Sequence, residues 1–189
     1  VNDRYFVNTV AAGVMPEAVG SVSIEQKTRL GPMAYFLTGL KALQSRRTSL
    51  FKIESNEGTE VRRSPLIVAM LTSSVGSFNN IAPKAKVDDG TIWLAVFKEF
   101  NYLDVLKVIP EVLAGLPINS EYMTLTQIKK ARISIVDDEK LSTNMDGDKG
   151  PDFPLELEVC PSFLRVYVPR KAIQTGFNPI VVPKELFHG

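Results

Sequence analysis

Cysteine and histidine are nearly missing from this chain of 189 residues, which has Cys160 as its one cysteine and His188 as its one histidine. A single thiol cannot close an internal disulfide. One histidine next to the end of the chain leaves little for a zinc cluster or a Ser-His-Asp arrangement. An excess of charge is missing too. With 22 Lys+Arg against 21 Asp+Glu, no bulk field draws the chain to nucleic acid or to an acidic membrane, so any charged ligand has to be met locally. No apolar run approaches the roughly 18 to 20 residues of a membrane-spanning helix. The most apolar stretch, Ser64 to Val75, is too short. A Gly-rich phosphate loop is also absent: Ser73-Ser74-Val75-Gly76-Ser77-Phe78 has the small residues but neither the spacing nor the Lys.

What remains is the composition of an ordinary globular domain, 44% hydrophobic and 23% charged, with enough apolar residues to bury a core. There is no internal repeat and no low-complexity stretch. The chain opens at Val1 without Met and enters the strand-like Tyr5 to Val10 almost at once, as a domain cut from a longer protein would.

Residues rich in β-branched and aromatic side chains recur in short runs. Tyr5 to Val10 ends at Ala11-Ala12-Gly13. Thr48 to Glu54 and Thr59 to Leu71 flank an Asn56-Glu57-Gly58 turn, and Thr91 to Phe97 forms another run. Tyr122 to Val136, Leu141 to Met145, Leu155 to Val159 and Phe163 to Val168 follow, separated by Asp-, Gly- and Pro-containing turns. Helical spacing occurs in Met33 to Leu43, with Pro32 suited to its first position, and again from Asn101 until Pro110 interrupts it. The pattern predicts a mainly β, α+β domain: an antiparallel β-sandwich with two or three helices over residues 1–169, then a tail over 170–189.

Two acidic turns carry the candidate chemistry. One is Lys86-Val87-Asp88-Asp89-Gly90-Thr91, just before a strand; the other is Asn144-Met145-Asp146-Gly147-Asp148. In each, a Gly lets the backbone fold sharply, so that oxygens could converge on a hard cation or a reacting hydroxyl. Asp-Gly is equally a hairpin signal with no chemical role, and both readings stand at this point. A calcium loop starting at Asp146 fails, because its sixth position is Pro151 and its twelfth is Leu157. Cys160 has no basic cluster beside it in sequence, and scattered cations such as Arg46-Arg47 and Arg62-Arg63 read as solvated surface.

The order of segments says more than any one of them. Tyr5-Phe6-Val7-Asn8 with Gly13, Lys27-Thr28-Arg29-Leu30-Gly31-Pro32, Ile81-Ala82-Pro83-Lys84-Ala85, Val87-Asp88-Asp89-Gly90 and Met145-Asp146-Gly147-Asp148 together resemble the C-terminal half of bacterial diacylglycerol kinase-like lipid kinases. The similarity runs from about residue 4 to about residue 169.

The resemblance implies one half of a two-domain enzyme. The other half, an N-terminal α/β domain with a Gly-Gly-Asp-Gly-Thr nucleotide motif, has no counterpart here and becomes the expected partner; the fragment by itself is expected to be inactive. By the same resemblance, Asp146 is the general base toward a lipid hydroxyl, and Asp148 matches an acidic residue that is usually Glu. Asp89, with the carbonyls of Lys86 and Thr91, matches a Mg²⁺ site, and Lys27 matches a basic residue that contacts phosphate. The loop Thr72 to Asn80 departs most from the family pattern. The implied activity is phosphorylation of a lipid alcohol by ATP, diacylglycerol to phosphatidic acid, with the protein peripheral at the cytoplasmic face of the membrane and compatible with a homodimer. A noncatalytic β-sandwich that binds lipid or a partner protein is the alternative.

Overall fold

The computed structural model describes residues 1–13, 48–75, 80–99, 104, 107–108, 114–137 and 140–165. Among them ten strands form two antiparallel sheets: β1 (Thr9–Gly13), β2 (Ser49–Ser55), β3 (Gly58–Ser64), β4 (Leu66–Met70), β5 (Ile92–Phe97), β6 (Met123–Ile128), β7 (Lys130–Ile135), β8 (Thr143–Met145), β9 (Asp148–Lys149) and β10 (Leu155–Glu158). The larger sheet has the order β6-β5-β4-β1-β8-β9 and the smaller β10-β7-β2-β3.

Alternation decides what lies between the sheets. Phe51, Ile53, Ile133 and Leu157 point inward from the small sheet, and Val10, Ile67, Ile92 and Leu94 meet them from the large one. Each such side chain contributes about 1.5–3 kcal/mol by leaving water. The outward positions of the small sheet bear charges in cross-strand register. Arg132 stands between Glu156 and Glu54, and Lys130 faces Glu158, with ion pairs Arg132–Glu156 and Lys130–Glu158. Opposite signs in neighbouring positions keep that face wet and of mixed charge. β4 and β5 are buried along their whole length, because the other face of the large sheet is covered as well, by residues that include Ile81, Ala82, Val108 and Tyr122.

Two runs that read as single strands are each divided between the sheets. Thr59 to Leu71 breaks at Pro65, which has no N–H for a ladder, and the chain passes from the small sheet in β3 to the large one in β4. The buried Ser64 hydroxyl stitches the crossing, donating to the carbonyl of Phe97 at 2.7 Å and accepting the N–H of Leu66 at 3.1 Å. Tyr122 to Val136 breaks at Lys129 and passes the other way, from β6 into β7. There the Asn56 side-chain oxygen accepts the N–H groups of Lys129 at 2.7 Å and Lys130 at 3.2 Å.

Other boundaries shift for local reasons. The first strand covers Thr9–Gly13 rather than Tyr5 to Val10, because the N–H groups of Val7, Asn8 and Thr9 turn toward Asp146. Gly13, at φ 133, lies so close to β4 that a Cβ there would fall 2.2 Å from the carbonyl oxygen of Pro65. Phe163, Leu164 and Arg165 are not in a strand, and Phe163 stacks on Tyr5 with ring centroids 4.7 Å apart. Asp104, Lys107 and Val108 are helical. The rest of that expected helix, the helix expected at Met33 to Leu43 and the tail over 170–189 lie outside the described residues.

Candidate functional site

Asp146 and Gly147 are the two central residues of the β8–β9 hairpin, with Met145 paired to Asp148 and positive φ at both, 51 and 100. That is the type I′ geometry an Asp-Gly pair suits. β8 also pairs with β1, Val10 opposite Met145, which brings Asp146 beside the start of β1. There the backbone wraps its carboxylate. Oδ2 accepts the N–H of Val7 at 2.7 Å, and Oδ1 accepts those of Asn8 at 2.9 Å and Thr9 at 2.8 Å. The N–H of Asp146 donates back to the carbonyl of Thr9 at 2.9 Å.

A carboxylate has about four lone-pair directions. Three are used here, Asp146 is exposed, and Oδ2 keeps one direction for an outside donor. The side chain is therefore both anchored and able to accept one more proton donor. Asp148, two residues on, is exposed, and its carboxylate has no hydrogen-bond partner among the described residues.

Asp89 is built differently. Its Oδ1 accepts the N–H of Thr91 at 2.9 Å and the Thr91 hydroxyl at 2.8 Å; its Oδ2 accepts the N–H of Lys86 at 3.1 Å and the indole N–H of Trp93 at 3.0 Å. The N–H of Asp89 in turn donates to the Lys86 carbonyl at 3.3 Å. Burial pushes its carboxyl upward, but the donors from Trp93, Lys86 and Thr91 outweigh it and hold the group below the usual carboxylate range. All four lone-pair directions meet hydrogens, so this donor set does not fit a cation unless one donor turns away. No group of three or more His, Cys, Asp and Glu side chains gathers for a metal among the described residues.

The two turns share one end of the large sheet. Trp93 pairs with Met70, Met70 with Thr9, and Thr9 lies beside Asp146, following the strand order β5-β4-β1-β8. Three strand spacings of about 4.8 Å separate the Trp93 position from the Asp146 turn, about 14 Å in all. The acidic turns thus line one edge without converging on one atom. Lys27 lies outside the described residues.

Two participants escape a reading by sequence. Trp93 looks like plain core, yet its indole N–H is a turn donor. Asn8 sits within a strand-like run where Asn is a poor β former; that misfit is the signal that could have marked it.

Residues 8–168 match the family model described as YegS C-terminal NAD kinase beta sandwich-like domain. Among curated proteins, a diacylglycerol kinase of Bacillus subtilis (strain 168) is 30% identical over 171 residues, covering 90% of this chain and 56% of that protein. A diacylglycerol kinase of Staphylococcus carnosus is 26% identical over 175 residues, covering 93% and 56%. A crystal structure of a diacylglycerol kinase from Bacillus anthracis str. Sterne shares the fold, with TM-score 0.62 and 19% identity over 85% of this chain and 51% of that one. The chain spans about half the length of the relatives it matches.

Proposed function

Because the chain belongs to the YegS C-terminal NAD kinase beta sandwich-like domain family, we propose that it is the acceptor-side half of an ATP-dependent lipid kinase, with Asp146 as general base. The single observation that carries this reading is the Asp146 carboxylate, fixed by three backbone N–H groups with one lone-pair direction left over. The acceptor is a lipid alcohol, with diacylglycerol first by the names of the relatives.

The chemistry asks for positioning more than force. In phosphoryl transfer the transition state is loose, and the protein's work is to hold the hydroxyl in line and receive its proton. The lipid oxygen bonds to the γ-phosphorus of ATP as the bond to the bridging oxygen of ADP breaks, and the hydroxyl proton passes to Oδ2 of Asp146. Asp148, exposed on the same hairpin, supplies a second negative group beside that point. Mg²⁺ would come to the reaction bound to ATP. A separate nucleotide-binding half as partner, a phosphate-contacting role for Lys27 of this chain, and a location at the cytoplasmic membrane face complete the proposal.

The test is transfer of radiolabelled γ-phosphate to diacylglycerol in mixed micelles, using the protein together with a nucleotide-binding half and a sphingoid base as competing acceptor. Labelled phosphatidic acid supports the reading; no transfer to either lipid rejects it. The alternative, a noncatalytic β-sandwich that binds lipid or a partner protein, takes the same type I′ turn and N–H donors as a structural latch, and absence of transfer to either lipid supports it.

A further inference from the structure

We infer that Asn8 is a positioning residue that ties the Asp146 carboxylate to the loop leaving β4. It bonds in three directions at once. Its N–H donates to Oδ1 of Asp146 at 2.9 Å, its carbonyl accepts the N–H of Leu71 at 3.0 Å, and its side-chain oxygen meets the Thr72 hydroxyl at 2.8 Å. Thr72 Oγ1 also lies 2.9 Å from the carbonyl of Ser74 and 3.4 Å from its N–H.

Thr72 has one hydroxyl proton and two acceptors within reach, so it cannot donate to both at once. If the proton goes to Ser74, the Asn8 amide turns over and its Nδ2–H donates to Thr72 Oγ1. Either orientation keeps the amide fastened to Thr72. Asn8 is half-buried between the exposed Val7 and the buried Thr9. Rotation of the Asn8–Thr9 peptide, which carries the Asn8 carbonyl and the Thr9 N–H, would break the bond to Leu71 and one bond to Oδ1 of Asp146 together. Asn8 thus bonds both to the carboxylate and to the first residues of the loop, and a change at Thr72 reaches Asp146 without touching it.

This inference rests on the proposed role of Asp146 for its kinetic consequence, but its structural core does not. Thr72→Val keeps the shape and removes the hydroxyl, while Thr72→Ser keeps the hydroxyl. We expect Thr72→Val to lower kcat about tenfold with KM for ATP unchanged, Thr72→Ser to restore it, and Asn8→Ala combined with Thr72→Val to be no worse than Asn8→Ala alone. In an Asp146→Asn background Thr72→Val should add nothing. Amide exchange at Val7, Asn8 and Thr9 should quicken about tenfold in Thr72→Val, a readout that needs no activity.

Unchanged exchange in Thr72→Val overturns the inference whatever the enzyme does. So does an undiminished Thr72→Val effect in the Asp146→Asn background, or unchanged kcat in both Asn8→Ala and Thr72→Val while Asp146→Asn is inactive. Full activity of Asp146→Asn rejects the proposed base instead, and quickened exchange then still upholds the link from Thr72 through Asn8.

Discussion

Trp93 donates its indole N–H to Oδ2 of Asp89 at 3.0 Å, so the one tryptophan of the chain is packed in the core and fastened to an acidic turn at once. Its fluorescence therefore reports on that turn. Because the folded Asp89 carboxyl lies below its usual range, the stabilisation it gives is complete above the unfolded value, about pH 4, and is lost as pH falls through the lower folded value. Trp93 emission should change over that acid window, and Asp89→Asn should abolish the change. An unaltered titration in Asp89→Asn would remove Asp89 as its source.

Trp93→Phe, followed across pH, separates packing from the hydrogen bond. Phe removes the donor to the carboxylate and leaves a small cavity where the second ring packed, so stability should fall by about 2–3 kcal/mol in denaturant melts, only part of it from the hydrogen bond. The hydrogen-bond part of that loss should vanish once the pH lies below the lowered folded value of Asp89, where the carboxyl is protonated in both proteins.

Magnesium gives a sharp test of the same turn. Since Asp89 already meets four donors, millimolar Mg²⁺ should leave the melting temperature of the protein within about 1 °C, whereas a bound cation would raise it with concentration. A saturable rise that Asp89→Ala removes would show that a donor yields to the ion.

Asp146→Asn is expected to do two things. Its carboxamide presents an NH₂ to at least one backbone N–H of the cradle, which should cost about 1–3 kcal/mol of stability. If Asp146 is the proposed base, the substitution should also lower kcat by about 10²- to 10⁴-fold. Assay well below the melting point distinguishes the two: a loss of kcat that persists there marks chemistry, and recovery marks a latch alone.

The glycines offer a paired test. Gly13→Ala puts a Cβ 2.2 Å from the Pro65 carbonyl at φ 133, and should cost about 3 kcal/mol or more. Gly58→Ala, at φ 136 with nothing within 4 Å, carries the backbone strain alone and should cost less. Equal losses would mean that contact with β4 is not the constraint.

Much of the sandwich is legible in period-two patterning. Ile92–Phe97 follows its expected run within one residue, and Asp146-Gly147 announces its own hairpin. What local pattern does not carry is which sheet a strand joins. Pro65 hints at a break, but Lys129 has no comparable mark, and both crossings are set by which apolar faces meet across the core. The site divides the same way. Asp146 and Asp89 are visible as turn residues, whereas the donors that hold Asp146 come from Val7, Asn8 and Thr9, more than 130 positions away.

The two crossings, at Pro65 and at Lys129, lace the layers with continuous chain. β3 cannot leave the small sheet without pulling on β4 in the middle of the large one, and β6 and β7 are joined in the same manner. Neither layer can peel away as an independent unit, so pulling the sheets apart should meet a single barrier instead of two. Loops at the shared end can then be exchanged for others while the layers beneath them keep their spacing.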